Sequence, residues 1–203
     1  MKIICIGRNY ADHIKELANE RPAEPVVFIK PDSAVLPKEQ AFYIPEFSQD
    51  VHYELEVLVK IKKVGKHIQE KFAHKYYDEV GLGIDFTARD LQQELKAKGL
   101  PWEKAKGFDG AAVIGKWVPK NRYKDLQDLN FKLLRNGETV QDGNTGLMLW
   151  KIDELIAYVS RFFMLKKGDI LFTGTPAGVG RISANDYLSG YLEGEEMFSV
   201  KIK

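Results

Sequence analysis

Between Val51 and Ile61 the chain reads Val-His-Tyr-Glu-Leu-Glu-Val-Leu-Val-Lys-Ile, an alternation that narrows the fold more than any other stretch. Leu55, Val57, Val59 and Ile61 fall at every second position, the period of a β-strand with one buried face. The same period puts His52, Glu54 and Glu56 on the opposite face, with about 7 Å between next-but-one residues. Two carboxylates aimed the same way repel unless a cation, a proton or open water lies between them, so they can converge on a hard divalent cation. The alternative is a solvated face in which Glu54, Glu56 and Lys60 meet water, and Leu58 on that face argues against it. His52 leaves open a histidine-carboxylate site for another metal.

Around this strand the sequence predicts short β-runs with a few helices. Lys2 to Ile6 reads as a strand, and Ala11, Ile14, Leu17 and Ala18 have helical spacing within 9–21. Four prolines between Pro25 and Pro45 indicate extended pieces and turns, including Val26 to Ile29. A short helix is expected within 69–76 and a strand from Tyr77 to about Asp85. Thr87 is expected to cap a helix reaching about Lys98, with Asp90 in the capping-box position. Arg135-Asn136-Gly137-Glu138 marks a hairpin turn, and Ile152, Leu155, Ile156, Val159, Phe162 and Phe163 define a helix over 151–165. Strands follow at Ile170 to Thr173 and around 197–202, with a glycine-rich loop at 174–180. The order is not a regular strand-helix alternation. It predicts an α+β fold, mixed and mainly antiparallel, with a few short helices, in a single domain over 1–203.

Composition removes several classes of function. Thirty Lys+Arg against 29 Asp+Glu give a net charge of +1, so nucleic acid and anionic membrane are not expected partners. No apolar run approaches the length of a membrane span, and the chain reads as cytoplasmic. Cys5 alone allows neither an intrachain disulfide nor a thiolate zinc cluster. Chemistry must then come from carboxylates, histidines, lysines, hydroxyls and backbone.

Further candidates supply those groups. Asp85 ends the apolar run Val80-Gly81-Leu82-Gly83-Ile84 and would make a third oxygen donor, a set suited to Mg²⁺ or Mn²⁺. His13 and Glu16 lie three residues apart, as a base and the carboxylate that orients it would, on a weakly amphipathic segment that suits a lid. Lys106 stands between small and glycine residues, and Arg89 and Gln92 share a helix face beside Asp85. The loop from Thr173 to Gly180 has no P-loop ending and no dinucleotide fingerprint, but its hydroxyls and N–H groups could hold a carboxylate or oxyanion.

These segments together resemble the fumarylacetoacetate hydrolase family, and within it the short members acting as acylpyruvate hydrolases or oxaloacetate decarboxylases. The motifs are Gly7-Arg8-Asn9-Tyr10-Ala11-Asp12-His13, Phe28-Ile29-Lys30-Pro31, Tyr53-Glu54-Leu55-Glu56, Asp85-Phe86-Thr87-Ala88-Arg89-Asp90-Leu91-Gln92, Lys106-Gly107-Phe108-Asp109, and Gly168-Asp169 leading to Thr173-Gly174-Thr175-Pro176-Ala177-Gly178-Val179-Gly180. The resemblance implies a β-roll and sandwich of the family's C-terminal-domain type and a homodimer. It implies Mg²⁺ or Mn²⁺ on Glu54, Glu56 and Asp85, a His13–Glu16 base dyad on a lid of about 9–21, catalytic Lys106, and Arg8, Arg89, Gln92 and Thr175 around a small 2-oxo acid. The implied reaction is hydrolysis of the C–C bond of acylpyruvate-type 2,4-dioxo acids through a metal-stabilised pyruvate enolate. Oxaloacetate decarboxylation or tautomerisation, and isomerisation of 2-hydroxyhepta-2,4-diene-1,7-dioate, need the same residues. A binding module that had lost its chemistry would lack a metal carboxylate, the dyad or Lys106, and all are present. After Asp109 the chain runs Gly110-Ala111-Ala112-Val113-Ile114-Gly115 where the family carries a Thr-Ser-Cys-Pro-like stretch.

Overall fold

The computed structural model describes residues 1–17 and 20–203; Ala18, last of the apolar positions in the first helical spacing, lies outside the described residues. In chain order the elements are β1 (Ile3–Gly7), α1 (Ala11–Glu16), β2 (Val26–Lys30), β3 (Val51–Tyr53), β4 (Leu55–Ile61), α2 (Glu70–Ala73), β5 (Tyr77–Asp85), β6 (Thr87–Ala88) and α3 (Arg89–Ala97). Then follow α4 (Glu103–Lys106), β7 (Ala112–Pro119), β8 (Asn130–Arg135), β9 (Glu138–Asn144), α5 (Ile152–Phe162), β10 (Ile170–Phe172), β11 (Gly180–Arg181), β12 (Tyr187–Leu192) and β13 (Glu195–Lys201). They build a six-stranded sheet in the order β2-β1-β10-β4-β5-β7, a four-stranded sheet β13-β12-β8-β9 and a small sheet β11-β3-β6. β1 runs parallel to β10, and the other strand pairs are antiparallel. The mixed, mainly antiparallel expectation holds. Among the described residues no helix is long and apolar enough to cross a membrane.

β4 lies at the centre of the large sheet, and this corrects the expectation of one buried face: both are covered. Leu55 and Val57 enter the main core with Leu82, Ile84, Phe131, Leu133 and Leu188, where the two larger sheets meet. Val59 and Ile61 pack with Ile4 and Ile6 under Ile152, Leu155, Ile156 and Val159 of α5. On the other face Leu58 packs with Ile3, Cys5 and Phe172, and Glu54 and Glu56 are buried beside them, 5% and 2% exposed. The solvated-face alternative is therefore excluded. A β4 slipped by one residue would exchange carboxylates for core side chains, so burial of both faces fixes its register.

Several local expectations change. Thr87 does not cap α3; Ala88 holds that position without a side-chain cap, and Thr87 is a strand residue paired with His52. Asp90 ties a preceding loop down instead, accepting from Ser48 Oγ at 2.6 Å and from the backbone N–H of Gln49 at 2.8 Å. The helix expected within 69–76 shortens to α2, and that expected over 151–165 ends at Phe162. The β8–β9 turn has φ of 55° at Asn136 and 88° at Gly137, the left-handed pair the Asn-Gly dipeptide favours.

Candidate active site

The site forms where two neighbouring strands leave the large sheet together. The chain breaks at Glu54 between β3 and β4, and its antiparallel neighbour breaks at Phe86 between β5 and β6, with β3 and β6 continuing as partners in the small sheet. Asp85 N–H donates to Glu54 C=O at 2.9 Å across this corner. The break interrupts the strand period, so His52 does not join Glu54 and Glu56. It pairs with Asp50 at 3.0 Å, which sets aside the histidine-carboxylate alternative.

Glu54, Glu56 and Asp85 are brought together: one carboxylate oxygen of each lies within 4.8 Å of the others, and all three residues are buried. Lys106 Nζ donates to Glu54 at 2.8 Å, to Asp85 at 2.8 Å and to Thr87 Oγ1 at 2.5 Å. Arg89 donates to Glu54 and, at 2.7 Å, to Gln92 Oε1. Lys30, fully buried behind the carboxylates, stands 2.7 Å from Asp85 Oδ1 and donates to the carbonyl of Lys106. Burial opposes ionisation of Glu54, but Lys106 and Arg89 overcome it and hold its carboxyl below the usual carboxylate range. On Glu56 burial, then Asp85 and Glu54, outweigh the Gly174 N–H and Lys106 and push its pKa well up. Burial also works against the Lys106 ammonium, yet Asp85 and Glu54 raise its pKa, so it is charged at neutral pH. Three clustered oxygen donors, one of them held under like-charge pressure, fit a hard divalent cation.

The glycine-rich loop does hold carboxylates through its N–H groups, but they are the protein's own. Gly174 N–H donates to Glu56 Oε2 at 2.6 Å, and Gly178 N–H to Glu16 Oε1 at 3.0 Å. Gly174 has φ of 103°, and a Cβ there would stand 2.7 Å from Asn9 Cβ, so glycine is required twice over. Asn9 is a tie rather than a ligand: its side chain donates to Thr173 C=O at 2.7 Å and to Trp150 C=O at 3.1 Å, and accepts from Trp150 N–H at 2.9 Å. On α1, His13 Nδ1 lies 3.1 Å from Glu16 Oε2, and His13 is 5% exposed. Burial lowers the His13 pKa below the ordinary histidine value, while Glu54 and Glu16 pull it back up in part.

All ten sequence-predicted site residues except Glu16 line one cleft of about 450 Å³ including its open mouth, and Glu16 is held at it through His13. Phe28, Trp102 and Lys96 also line it. Gln141 carries no motif in the sequence, yet it positions the site: its Oε1 accepts from Leu55 N–H at 2.9 Å, between the two glutamates, and its Nε2 donates to Thr175 Oγ1 at 2.9 Å and Pro176 C=O at 3.1 Å. Lys96 was readable in retrospect from its place seven residues after Arg89 on the same helix face. The segment that departs from the family pattern begins β7, with Ala111 and Ala112 fully buried behind the site.

Comparison with known proteins agrees with this geometry. Residues 2–201 match the model of the fumarylacetoacetate (FAA) hydrolase C-terminal family. The oxaloacetate tautomerase FAHD1, mitochondrial, of Bos taurus is 40% identical over 99% of this chain and 90% of its own length. The oxaloacetate tautomerase YcgM of Escherichia coli (strain K12) is 41% identical over 97% of this chain and 90% of its own. A crystal structure of fumarylpyruvate hydrolase from Pseudomonas aeruginosa in complex with Mn²⁺ and pyruvate superposes with a TM-score of 0.93 at 34% identity, covering 100% of this chain and 89% of that one. The chain belongs to the fumarylacetoacetate hydrolase family, in its C-terminal-domain fold.

Proposed function

We propose that residues 1–203 form one catalytic domain that hydrolyses the C–C bond of acylpyruvate-type 2,4-dioxo acids, with Mg²⁺ or Mn²⁺ held by Glu54, Glu56 and Asp85. The observation that carries this reading is the meeting of three buried carboxylates within 4.8 Å in a cleft that also holds Lys106 and the His13–Glu16 pair. When bound, the cation supplies a Lewis acid for the carboxylate and 2-oxo oxygen of the substrate. Lys106 adds a fixed positive charge where the reacting acid gains negative charge. His13, neutral at pH 7 because burial lowers its pKa, takes a proton from water while Glu16 orients the ring. The water oxygen bonds to the distal carbonyl carbon, the C–C bond breaks with its electron pair passing into the pyruvate unit, and the proton held on His13 passes to that unit's methylene carbon; a carboxylic acid and pyruvate leave. Arg8, Arg89, Gln92 and Thr175 orient the acid, and the segment of about 9–21 closes over it. By likeness to the family the working form is a homodimer.

The names of the two relatives at 40% and 41% identity support a second reading, oxaloacetate tautomerisation; decarboxylation of the same acid would use the same residues. Neither needs water as a nucleophile. The discriminating experiment is turnover of acetylpyruvate and of oxaloacetate with Mg²⁺ and with chelator. Metal-dependent cleavage of acetylpyruvate, lowered about 10²- to 10⁴-fold in His13→Ala, is the expected result. Near wild-type cleavage in His13→Ala contradicts the base assignment, and reaction of oxaloacetate alone makes the second reading the activity.

A further inference from the structure

Two threonines at the start of the glycine-rich loop have their hydroxyls bound in opposite senses. Thr173 commits its O–H to the protein, donating to Val57 C=O at 2.8 Å. Thr175 is instead the acceptor in its bond with Gln141 Nε2, at 2.9 Å. Among the described residues the acceptor that the Thr175 O–H reaches is Pro176 C=O at 3.5 Å, the outer limit of a hydrogen bond, and that carbonyl already accepts from Gln141 Nε2 at 3.1 Å. Thr175 is buried and lines the cleft. It follows directly on Gly174, whose N–H holds Glu56, so its hydroxyl stands at the metal-carboxylate end of the space.

The sense of the Thr175 bond is fixed from behind. Gln141 is 1% exposed, and its Oε1 accepts from Leu55 N–H at 2.9 Å while its Nε2 donates to Thr175 and Pro176. A flipped amide would set its NH₂ group against the Leu55 N–H, donor on donor, and its oxygen against Pro176 C=O, acceptor on acceptor. Either arrangement leaves buried polar groups unpaired, a cost that rules the flip out. Thr175 Oγ1 therefore meets a donor on its protein side, and its own proton is turned toward the cleft. The acid of the proposed reaction presents only acceptors at its metal end, the carboxylate and the 2-oxo oxygen. Gln141 has no place on the cleft wall itself and acts on that end through Thr175.

We propose that Gln141 is a positioning residue that makes the Thr175 hydroxyl a hydrogen-bond donor to an oxygen of the bound 2-oxo acid. This deepens the proposed function and rests on its metal-carboxylate end. The test is a double-substitution cycle of Gln141→Met and Thr175→Val. Its probe is oxalate, whose adjacent carboxylate oxygens imitate the acid end of the substrate, titrated calorimetrically at saturating Mn²⁺ without any need for turnover. Thr175→Val is expected to weaken oxalate binding about tenfold and Gln141→Met about fivefold. In the Thr175→Val background, Gln141→Met is expected to add less than about twofold, because no hydroxyl remains to be oriented. The same loss from Gln141→Met in both backgrounds would mean that Gln141 only holds the loop, and overturns the proposal. Wild-type oxalate affinity in a folded Gln141→Met overturns it as well. Where Gln141→Met does not fold, Gln141→Ala completes the cycle, since water then has room to bond Leu55 N–H, and the same two patterns decide. Absence of any Mn²⁺-dependent oxalate binding by the wild type overturns the metal-carboxylate reading and the proposal with it.

Discussion

His13 shows how one residue's surroundings set a testable chemistry. Its burial lowers the ring pKa, and Glu16 opposes that through its hydrogen bond and charge. A base works when unprotonated, so the acid limb of kcat/KM is expected below the ordinary histidine value of about 6.5. Replacing Glu16 with Gln removes a raising influence, which moves that limb to still lower pH while kcat falls through loss of ring orientation. A limb that moves upward in Glu16→Gln, measured by pH-rate profiles of both proteins, contradicts this electrostatic account. The pair itself was legible in the sequence because three-residue spacing on a helix is a local rule. Its contact with Gly178, 162 residues away, was not. Gln141 was illegible for the same reason: its side chain bonds Leu55, Thr175 and Pro176, whose meeting depends on the packed fold. Lys30 stood within a motif, but nothing local says that a lysine there is fully buried against Asp85.

Strands and helices were legible where their periodicity was strong, as in β4, β5 and α5, and illegible where packing overrides propensity. β7 contains Gly115 and ends in Pro119, two residues that weaken a strand signal. The glycine is there because a Cβ would stand 2.7 Å from the Leu82 carbonyl oxygen and 2.8 Å from that of Met197. Gln141 on β9 ties the hairpin to the break between β3 and β4, so Gln141→Leu is expected to cost about 1–3 kcal/mol in urea unfolding, because Leu55 N–H loses its buried acceptor. An unchanged midpoint would show that water replaces it without loss. Asp169 fastens β1 to β10: it accepts from Lys2 N–H at 2.9 Å and from Lys166 N–H at 2.8 Å, and pairs with Lys2 Nζ. Burial works against its ionised form, but these donors hold its pKa below the usual aspartate value. That stability is present above the unfolded value of about 3.9 and is lost as pH falls through the folded one. Asp169→Asn should therefore lower stability by about 1.5–3 kcal/mol at pH 7, with the gap to wild type closing below about pH 4. A gap independent of pH contradicts a charge-based role.

At the scale of the molecule, two sheets share a corner at Glu54 and Phe86, and the charged residues converge there because strands crossing between sheets release their side chains from strict alternation. Paired burial of Lys106, Arg89 and Lys30 against Glu54 and Asp85 makes that charge tolerable, since removing one partner of such a pair costs about 3–5 kcal/mol. Glu56 stands apart, with one backbone donor and a raised pKa. The central claim is that these carboxylates hold a divalent cation, and calorimetric titration of Mn²⁺ into the wild type and Glu56→Gln tests it most directly. One ion per chain is expected, with binding that weakens as pH falls and the carboxylate ligands protonate, and at least about tenfold weaker binding in a natively folded Glu56→Gln. Undetectable Mn²⁺ binding by the wild type, or equal affinity in the folded variant, would contradict it.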